Sequence, residues 1–253
     1  MSDARPVLEA GLREIGATLP SVKRILVTHA HRDHYTLAVT LRREFGMPVA
    51  LGAGERASIA ALTSDDSVVS FGSQLRLLRA AGAEELARIV ESQAVYVNPR
   101  TDGWELPDEW LEAGVVAAGA RELTVVPTPG HTRGHLVFAD LARGLLFSGD
   151  HVLPHITPSI GLETVASPMP LARFLESLAL VRTLPDLRLL PAHGPVTESS
   201  HDRVDQLVAH HDKRLAEIRA AVAACGEQPS LLIAQRLDWT RRRREFAQLD
   251  AFN

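Results

Sequence analysis

Hydrophobic and polar positions follow two different periods along the chain, one typical of strands and one typical of helices. Short apolar runs bounded by turn residues predict buried strands, and they lie at 24–28, 48–52, 122–132, 135–141, 144–151 and 187–194. Apolar residues at helical spacing predict helices over 6–19, 36–46, 83–92 and 170–183. Between 54 and 118 the pattern is weaker, and the segment NPRTDGWELPDEW is interpreted as a loop. Strands that alternate with helices favour an α/β fold.

The pattern changes after Gly194. A helical period starts near Val204 and continues to about Ala224, where a cysteine and a glycine end it. Ser230 is expected to cap a second short helix. We therefore divide the chain into a domain of residues 1–199 and a small helical segment of residues 200–253.

Composition narrows the classes of protein that fit. With 253 residues, of which 45% are hydrophobic, the chain can bury a large core without disulfides or a structural metal. The net charge of −4 provides no global basic field for nucleic acid or anionic membranes. The single cysteine, Cys225, cannot form an internal disulfide, which favours a cytoplasmic location. No apolar run approaches the roughly 18 residues of a membrane span, so no membrane association is expected.

The chain contains 11 histidines, and the segment THAHRDH carries three of them. Residues two apart on a strand running into a loop project to the same side, so His29 and His31 can bind one ion. Asp33 and His34 follow on the turn and can face a second ion. Imidazole and carboxylate ligands together suit Zn²⁺ or a similar metal.

Three further candidate ligands follow predicted strands. His131 lies in TPGHT, Asp150 in SGDH and His193 in PAHG. Functional groups converge at strand ends in α/β folds, so these side chains are expected to join the THAHRDH cluster.

This ordered set of motifs resembles the metallo-β-lactamase superfamily, over roughly residues 20–195. The resemblance implies an αββα sandwich with two Zn²⁺ ions, with iron or manganese as alternatives. It implies that the first metal is bound by His29, His31 and His131, and the second by Asp33, His34 and His193. Asp150 would bridge both metals, whereas His135 would support them without being a ligand. The implied chemistry is hydrolysis by a metal-bridging hydroxide, with Asp33 as a catalytic residue.

The resemblance leaves the substrate open. Asp150 favours glyoxalase-II-like hydrolases, so we expect a small thioester, lactone or similar ester. One alternative is an endoribonuclease, because the C-terminal segment resembles the start of a winged-helix appendage. In that case Trp239 and Arg241–Arg244 would contact RNA, although a solvated basic surface is the simpler interpretation. A β-lactam-hydrolysing enzyme, a mononuclear iron oxygenase and a catalytically silent truncated module are the remaining alternatives.

Both ends are expected to be shortened relative to the family pattern, since the sequence stops at LDAFN, before the strands that would complete a winged helix. Only 28 residues precede His29, and they are interpreted as one helix, so the opening strands of the sandwich are expected to be absent. Such a sheet would expose an apolar edge, which a homodimer could cover. His151 and His155 follow Asp150 and either contact substrate or pack within the loop.

Overall fold

The computed structural model describes residues 4–64, 72–94 and 103–237. Within these ranges the helices are α1 Ala4–Glu14, α2 Arg32–Phe45, α3 Arg56–Thr63, α4 Gly72–Ala80, α5 Glu84–Ala94, α6 Pro170–Thr183, α7 Ser200–Cys225 and α8 Ser230–Ala234. The strands are β1 Ile25–Leu26, β2 Val49–Gly52, β3 Glu109–Leu111, β4 Gly114–Ala118, β5 Arg121–Pro127, β6 Leu136–Asp140, β7 Leu145–Gly149 and β8 Arg188–Pro191.

The strands form two sheets. The first is parallel, with the order β1-β2-β3. The second has the order β4-β5-β6-β7-β8, in which neighbours are antiparallel except for the parallel pair β7 and β8. The sheets share one apolar cluster, to which Ala50 and Leu111 contribute from the first sheet and Leu136 and Phe138 from the second. This shared cluster places the two sheets against each other as a sandwich.

Helices cover the outer face of each sheet. Tyr35 and Val39 of α2 and Ile59 of α3 pack with Val49 and Leu51 of β2. On the other side, residues of α6 and α7 pack with the residues of β6 that point away from the first sheet, among them Val137 and Ala139. The alternation along β6 thus serves two cores, as the period of a strand requires. The result is the αββα order of layers, and the predicted α/β fold is confirmed.

The C-terminal helices extend this core. The Ser199 hydroxyl caps α7 by accepting a hydrogen bond from the backbone N–H of Asp202, at 3.0 Å. Val204 and Leu207 of α7 are buried in the cluster shared with α6. The prediction that Ser230 caps α8 was wrong, because Pro229 occupies the N-cap position and Ser230 is the first helical residue. Trp239 and Arg241–Arg244 lie outside the described residues, so the winged-helix resemblance and the RNA contact stay predictions.

The region between 54 and 118, where the pattern of apolar residues is weak, contains more regular structure than the sequence indicated. It includes α3, α4, β3 and β4 besides the expected α5. The segment NPRTDGWELPDEW is not a loop throughout, since its end forms β3, which pairs in parallel with β2. Three-residue β3 is too short for a period to be visible in the sequence. The helix predicted over 6–19 also ends early, at Glu14, because Gly16 follows it with a φ of 71°.

An open groove of about 510 Å³ lies between the sheets beside β1. No strand precedes β1 among the described residues, and β1 is the outer strand of its sheet. Apolar side chains form most of the groove wall: Ile25, Leu26, Leu123, Phe138, Phe147 and Leu190. Asp33 and His34 lie at the same groove. The expected open apolar edge is therefore present in the described part of the chain.

None of the helices within the described residues combines the length and the apolar character that crossing a membrane requires.

Candidate metal centre

All seven predicted ligand residues meet at one edge of the sandwich. Loops and helix starts at the ends of β1, β5, β7 and β8 position them. They form two groups of ligand atoms, each compact enough for one ion: His29, His31, His131 and Asp150 in the first group, and Asp33, His34 and His193 in the second. The extended backbone at His31 leads directly into α2, so the first turn of α2 presents Asp33 and His34.

The three histidines of the first group bring one ring nitrogen each to a common point. His131 Nε2 lies 3.2 Å from His29 Nε2 and 3.0 Å from His31 Nδ1. Zn–N bonds of about 2.0–2.1 Å in a tetrahedral site would separate two nitrogen ligands by about 3.3–3.4 Å. The observed separations are close to those of a metal-bound set.

Hydrogen bonds on the far side of the rings decide which nitrogens carry protons. His131 Nδ1 donates to the Ser159 carbonyl at 2.7 Å, and His31 Nε2 donates to the Leu162 carbonyl at 2.7 Å. A carbonyl oxygen only accepts, so in neutral rings His131 Nε2 and His31 Nδ1 present lone pairs to each other. Two lone pairs 3.0 Å apart repel unless a cation or a proton lies between them. This donor pattern fits a metal ion.

Asp150 lies between the two groups. Its Oδ2 atom is 3.6 Å from His131 Nε2 and 3.5 Å from His34 Nε2. Its Oδ1 atom is 3.5 Å from His193 Nε2 and is buried without a hydrogen bond among the described residues. A buried carboxylate oxygen without a hydrogen-bond partner is costly, and a cation on either side would satisfy it.

The second group is more open to solvent. Asp33 Oδ2 lies 3.4 Å from His34 Nε2 and 3.3 Å from His193 Nε2. The side chains of Asp33 and His193 are 61% and 48% exposed, whereas the His29 side chain is fully buried. The two groups therefore have the same ligand chemistry at different depths.

Burial sets the protonation of the first group. It lowers the pKa of His29 well below the ordinary value, and it lowers the pKa of His131 to about 4, with His31 contributing. In the second group burial also lowers the pKa of His34, but hydrogen bonds with Asp150 and Asp33 outweigh it and raise that pKa to about 9. The hydrogen bond with His34 in turn lowers the pKa of Asp33. Neutral imidazoles are the form that binds metal, so the first group is ready to coordinate.

His135 packs beside the candidate ligands and forms hydrogen bonds with their neighbouring backbone and side chains. Its Nε2 accepts a hydrogen bond from the Asp150 backbone N–H at 3.1 Å, and its Nδ1 lies 2.9 Å from the Thr128 hydroxyl. Both ring nitrogens are thus engaged away from the ligand cluster. Gly149 makes this approach possible, because its φ is 51° and a Cβ there would lie 2.7 Å from His135 Nε2.

His151 is a core residue. Its ring is fully buried, 5.0 Å from the ring of Phe174. Within the described chain neither of its ring nitrogens has a hydrogen-bond partner. Of the two interpretations of His151, packing within the protein is the one that the structure supports, since substrate does not reach a fully buried ring.

Sequence reasoning missed Glu55, which joins the two histidine loops. Its Oε1 accepts hydrogen bonds from the Ala30 backbone N–H, at 3.3 Å, and from the Thr132 hydroxyl. Burial raises the pKa of Glu55 to about 7. The residue follows a short buried strand, and nothing in the local sequence distinguishes it from a surface glutamate.

The comparisons agree with this geometry. Residues 1–193 match the family model of the metallo-beta-lactamase superfamily. A solved metallo-beta-lactamase family protein from Thermus thermophilus is 28% identical with a TM-score of 0.74, covering 92% of this chain and 74% of that chain.

Curated relatives are similar over shorter stretches. The beta-lactamase-like protein 2 homolog of Caenorhabditis elegans is 34% identical over 103 residues, which are 41% of this chain and 32% of the relative. The hydroxyacylglutathione hydrolase GloC of Haemophilus influenzae is 24% identical over 132 residues, 51% of this chain and 50% of the relative. The matched parts thus span about a third to a half of these relatives. The family match, the sandwich and the ligand cluster lead to one conclusion: the chain belongs to the metallo-beta-lactamase superfamily.

Proposed function

We propose that the chain is a metal-dependent hydrolase with a dinuclear zinc site that acts on a thioester, a lactone or a similar ester. His29, His31 and His131 would hold one ion and Asp33, His34 and His193 the other, with Asp150 shared between them. The observation that carries the proposal is the convergence of unprotonated nitrogens 3.0 Å apart beside a buried carboxylate oxygen that lacks a hydrogen bond among the described residues. Imidazole and carboxylate donors suit zinc, and they suit iron or manganese as alternatives.

Metal ions in such a site supply a nucleophile at neutral pH and polarise the carbonyl under attack. The protein's own contribution is to place its charges. Asp33 is the most exposed carboxylate of the centre and has a lowered pKa, so it stays ionised beside substrate. Its contacts with His34 and His193 fix its Oδ2 atom, so that it would orient the attacking group and pass a proton toward the leaving group. This is the catalytic role we assign to Asp33.

The groove beside the second group supports a small substrate with an apolar acyl part. Its described lining contains no lysine or arginine and is mostly aliphatic and aromatic. RNA recognition relies on cationic contacts to phosphates, so the groove favours an ester over RNA. A relative that hydrolyses hydroxyacylglutathione, by its name, is consistent with thioester chemistry.

Location and assembly complete the proposal. Cys225 is a free thiol in the described structure, which supports a reducing, cytoplasmic environment. A homodimer that covers the open edge at β1 stays a prediction, which light scattering over a range of protein concentrations tests.

The decisive experiment measures metal content and hydrolysis together. Protein purified without added metal, and an Asp150→Ala variant, are analysed by inductively coupled plasma mass spectrometry. Both are then assayed on a hydroxyacylglutathione thioester, an acyl-CoA thioester, an aryl lactone, a chromogenic cephalosporin and a fluorogenic RNA. Two zinc ions per chain, fewer in the variant, with turnover of a thioester or lactone, are the expected results. A single iron, no metal after reconstitution, or RNA cleavage exceeding ester hydrolysis would overturn the proposal.

A further inference from the structure

Residues 159–167 form a segment between β7 and α6 that we call the strap. The strap provides the two carbonyls that accept hydrogen bonds from the ligand histidines, Ser159 for His131 and Leu162 for His31, each at 2.7 Å. From the strap, the Gly161 N–H donates to the carbonyl of Gly130, which precedes His131, at 2.9 Å. Two of the three histidines in the first group therefore take their ring orientation from this one segment.

A buried ion pair holds the strap. Glu163 is 5% exposed, and its Oε2 accepts from the Arg133 backbone N–H at 3.0 Å and lies 3.4 Å from Arg133 Nε. Its other carboxylate oxygen accepts from the Ser167 hydroxyl at 2.5 Å. Arg133 Nη2 donates to the carbonyls of Val165 and Ala166, both at 2.9 Å. Arg133 is two residues after His131, so the pair ties the histidine's own loop to the strap.

Helix α4 also holds the strap, through two side-chain hydrogen bonds. The Ser73 hydroxyl donates to the Thr164 carbonyl at 2.6 Å, and the Gln74 side-chain amide donates to the Glu163 carbonyl. The strap is thus fixed both by the loop that carries His131 and by a helix that carries no ligand.

We propose that Arg133 and Glu163 are positioning residues, which act through the strap carbonyls to set the orientation of His131 and His31. The inference rests on the proposed function, because it concerns the same metal centre. Partners of ligating histidines fix the ring and its tautomer, and their loss costs about 10- to 100-fold in metal affinity or activity. Arg133 has the geometry for this task, because one guanidinium nitrogen donates to two successive carbonyls while the chain N–H donates to Glu163.

The test uses full-length protein and two variants. Glu163→Gln keeps the shape and the acceptor oxygen but leaves Arg133 without its counter-charge. Arg133→Lys keeps the charge but lacks the planar guanidinium, whose Nε faces Glu163 while its Nη2 donates to the two carbonyls. Arg173→Gln is the matched control, since it breaks an exposed Arg–Glu pair on α6 with a separation of 3.0 Å. Three quantities are measured: Zn²⁺ affinity by chelator competition, the visible absorption spectrum of the Co²⁺-substituted protein, and the melting temperature of the metal-free protein.

Both variants are expected to bind the more tightly held Zn²⁺ ion about 10- to 100-fold more weakly than wild type does. Their Co²⁺ spectra should also be altered, while the control should match wild type in both measurements. Unchanged affinity and an unchanged spectrum, with only a lower melting temperature, would overturn the inference and leave the pair a structural role. If neither variant folds, Ser73→Ala loosens the strap from α4, and wild-type affinity in that variant would also overturn it. Wild-type protein that binds no metal would instead contradict the proposed function, so the two failures are distinguishable.

Discussion

The two ligand groups use the same kinds of side chain but differ in depth and in support. In the first group, all three histidines are bonded on the far ring nitrogen: His29 to Thr28, His31 to Leu162 and His131 to Ser159. In the second group, Asp33 and His193 are about half exposed or more. The first group is therefore built before a metal arrives, whereas a metal would complete the second.

Protonation follows the same division. Burial keeps His29 and His131 neutral by lowering their pKa values, while the neighbouring carboxylates raise the pKa of His34 to about 9. At neutral pH a metal ion at the second group would have to displace a proton from His34, whereas an ion at the first group would displace none from His29 or His131. Burial and hydrogen bonding, rather than the choice of residues, therefore give the two groups different protonation states.

The largest effect is expected from His131→Ala. This change removes the ligand whose Nε2 is near both other histidines of the first group. Metal binding at that group should disappear, and hydrolysis should fall by more than the about 10- to 100-fold typical of lost outer partners. Metal content after dialysis and ester turnover are the measurements. Two metals per chain in the variant would show that the first group is not the primary site.

A smaller effect is expected from His193→Ala. This residue belongs to the exposed group, so the variant should keep one metal per chain and lose the other. Native mass spectrometry of the variant counts the bound ions directly. Loss of both ions from this variant would contradict the independence of the two groups and would remove the distinction drawn above.

Thr28→Val tests the support of a single ring. The hydroxyl lies 3.0 Å from His29 Nδ1, and valine has the same shape without it. We expect about tenfold weaker Zn²⁺ binding at the first group, measured by chelator competition. Thr183→Val is the control, because that hydroxyl bonds only the Leu180 carbonyl of its own helix, at 2.7 Å, among the described residues. Equal affinities in the two variants would mean that Thr28 does not position His29.

The smallest effect on the metal centre is expected from Glu55→Gln, whose main effect is on stability. Burial raises the folded-state pKa of Glu55 from 4.5 to about 7, so the wild-type protein loses stability as pH rises through that window. The shift corresponds to about 3 kcal/mol at most. Both proteins are compared without metal. The melting temperature of the variant minus that of wild type should therefore increase from pH 5 to pH 8. A difference independent of pH would show that Glu55 does not titrate in this window.

The sequence predicted the cluster of candidate ligands and the order of layers more completely than it predicted the residues that support that cluster. Candidate ligands such as His29 and Asp150 stand out because histidine and aspartate follow strands at characteristic spacings. Glu55, Arg133 and Glu163 could not be found this way, since each is a common residue whose partner lies far along the chain. Arg133 and Glu163 are 30 positions apart, and only the fold brings them together.

The same limit applies to secondary structure. Helix α6 was predicted at its observed bounds, because 14 residues are enough to show a period. Strands β3 and β4 were missed, since three and five residues with partly exposed faces show none. Pairing with longer neighbours, and not local preference, forms such strands.

The spacing of the ligands along the chain has a consequence for folding. His29 and His131 are 102 positions apart, and His34 and His193 are 159 positions apart. The second group is complete only when β8 has formed, because His193 follows that strand, which is the last of the described strands to be synthesised. A bound ion at either group would close a loop of this length, as a cross-link does, and loop closure removes entropy from the unfolded chain. Metal binding would then stabilise the whole sandwich, and chelation should lower the free energy of unfolding of regions that are far from any candidate ligand.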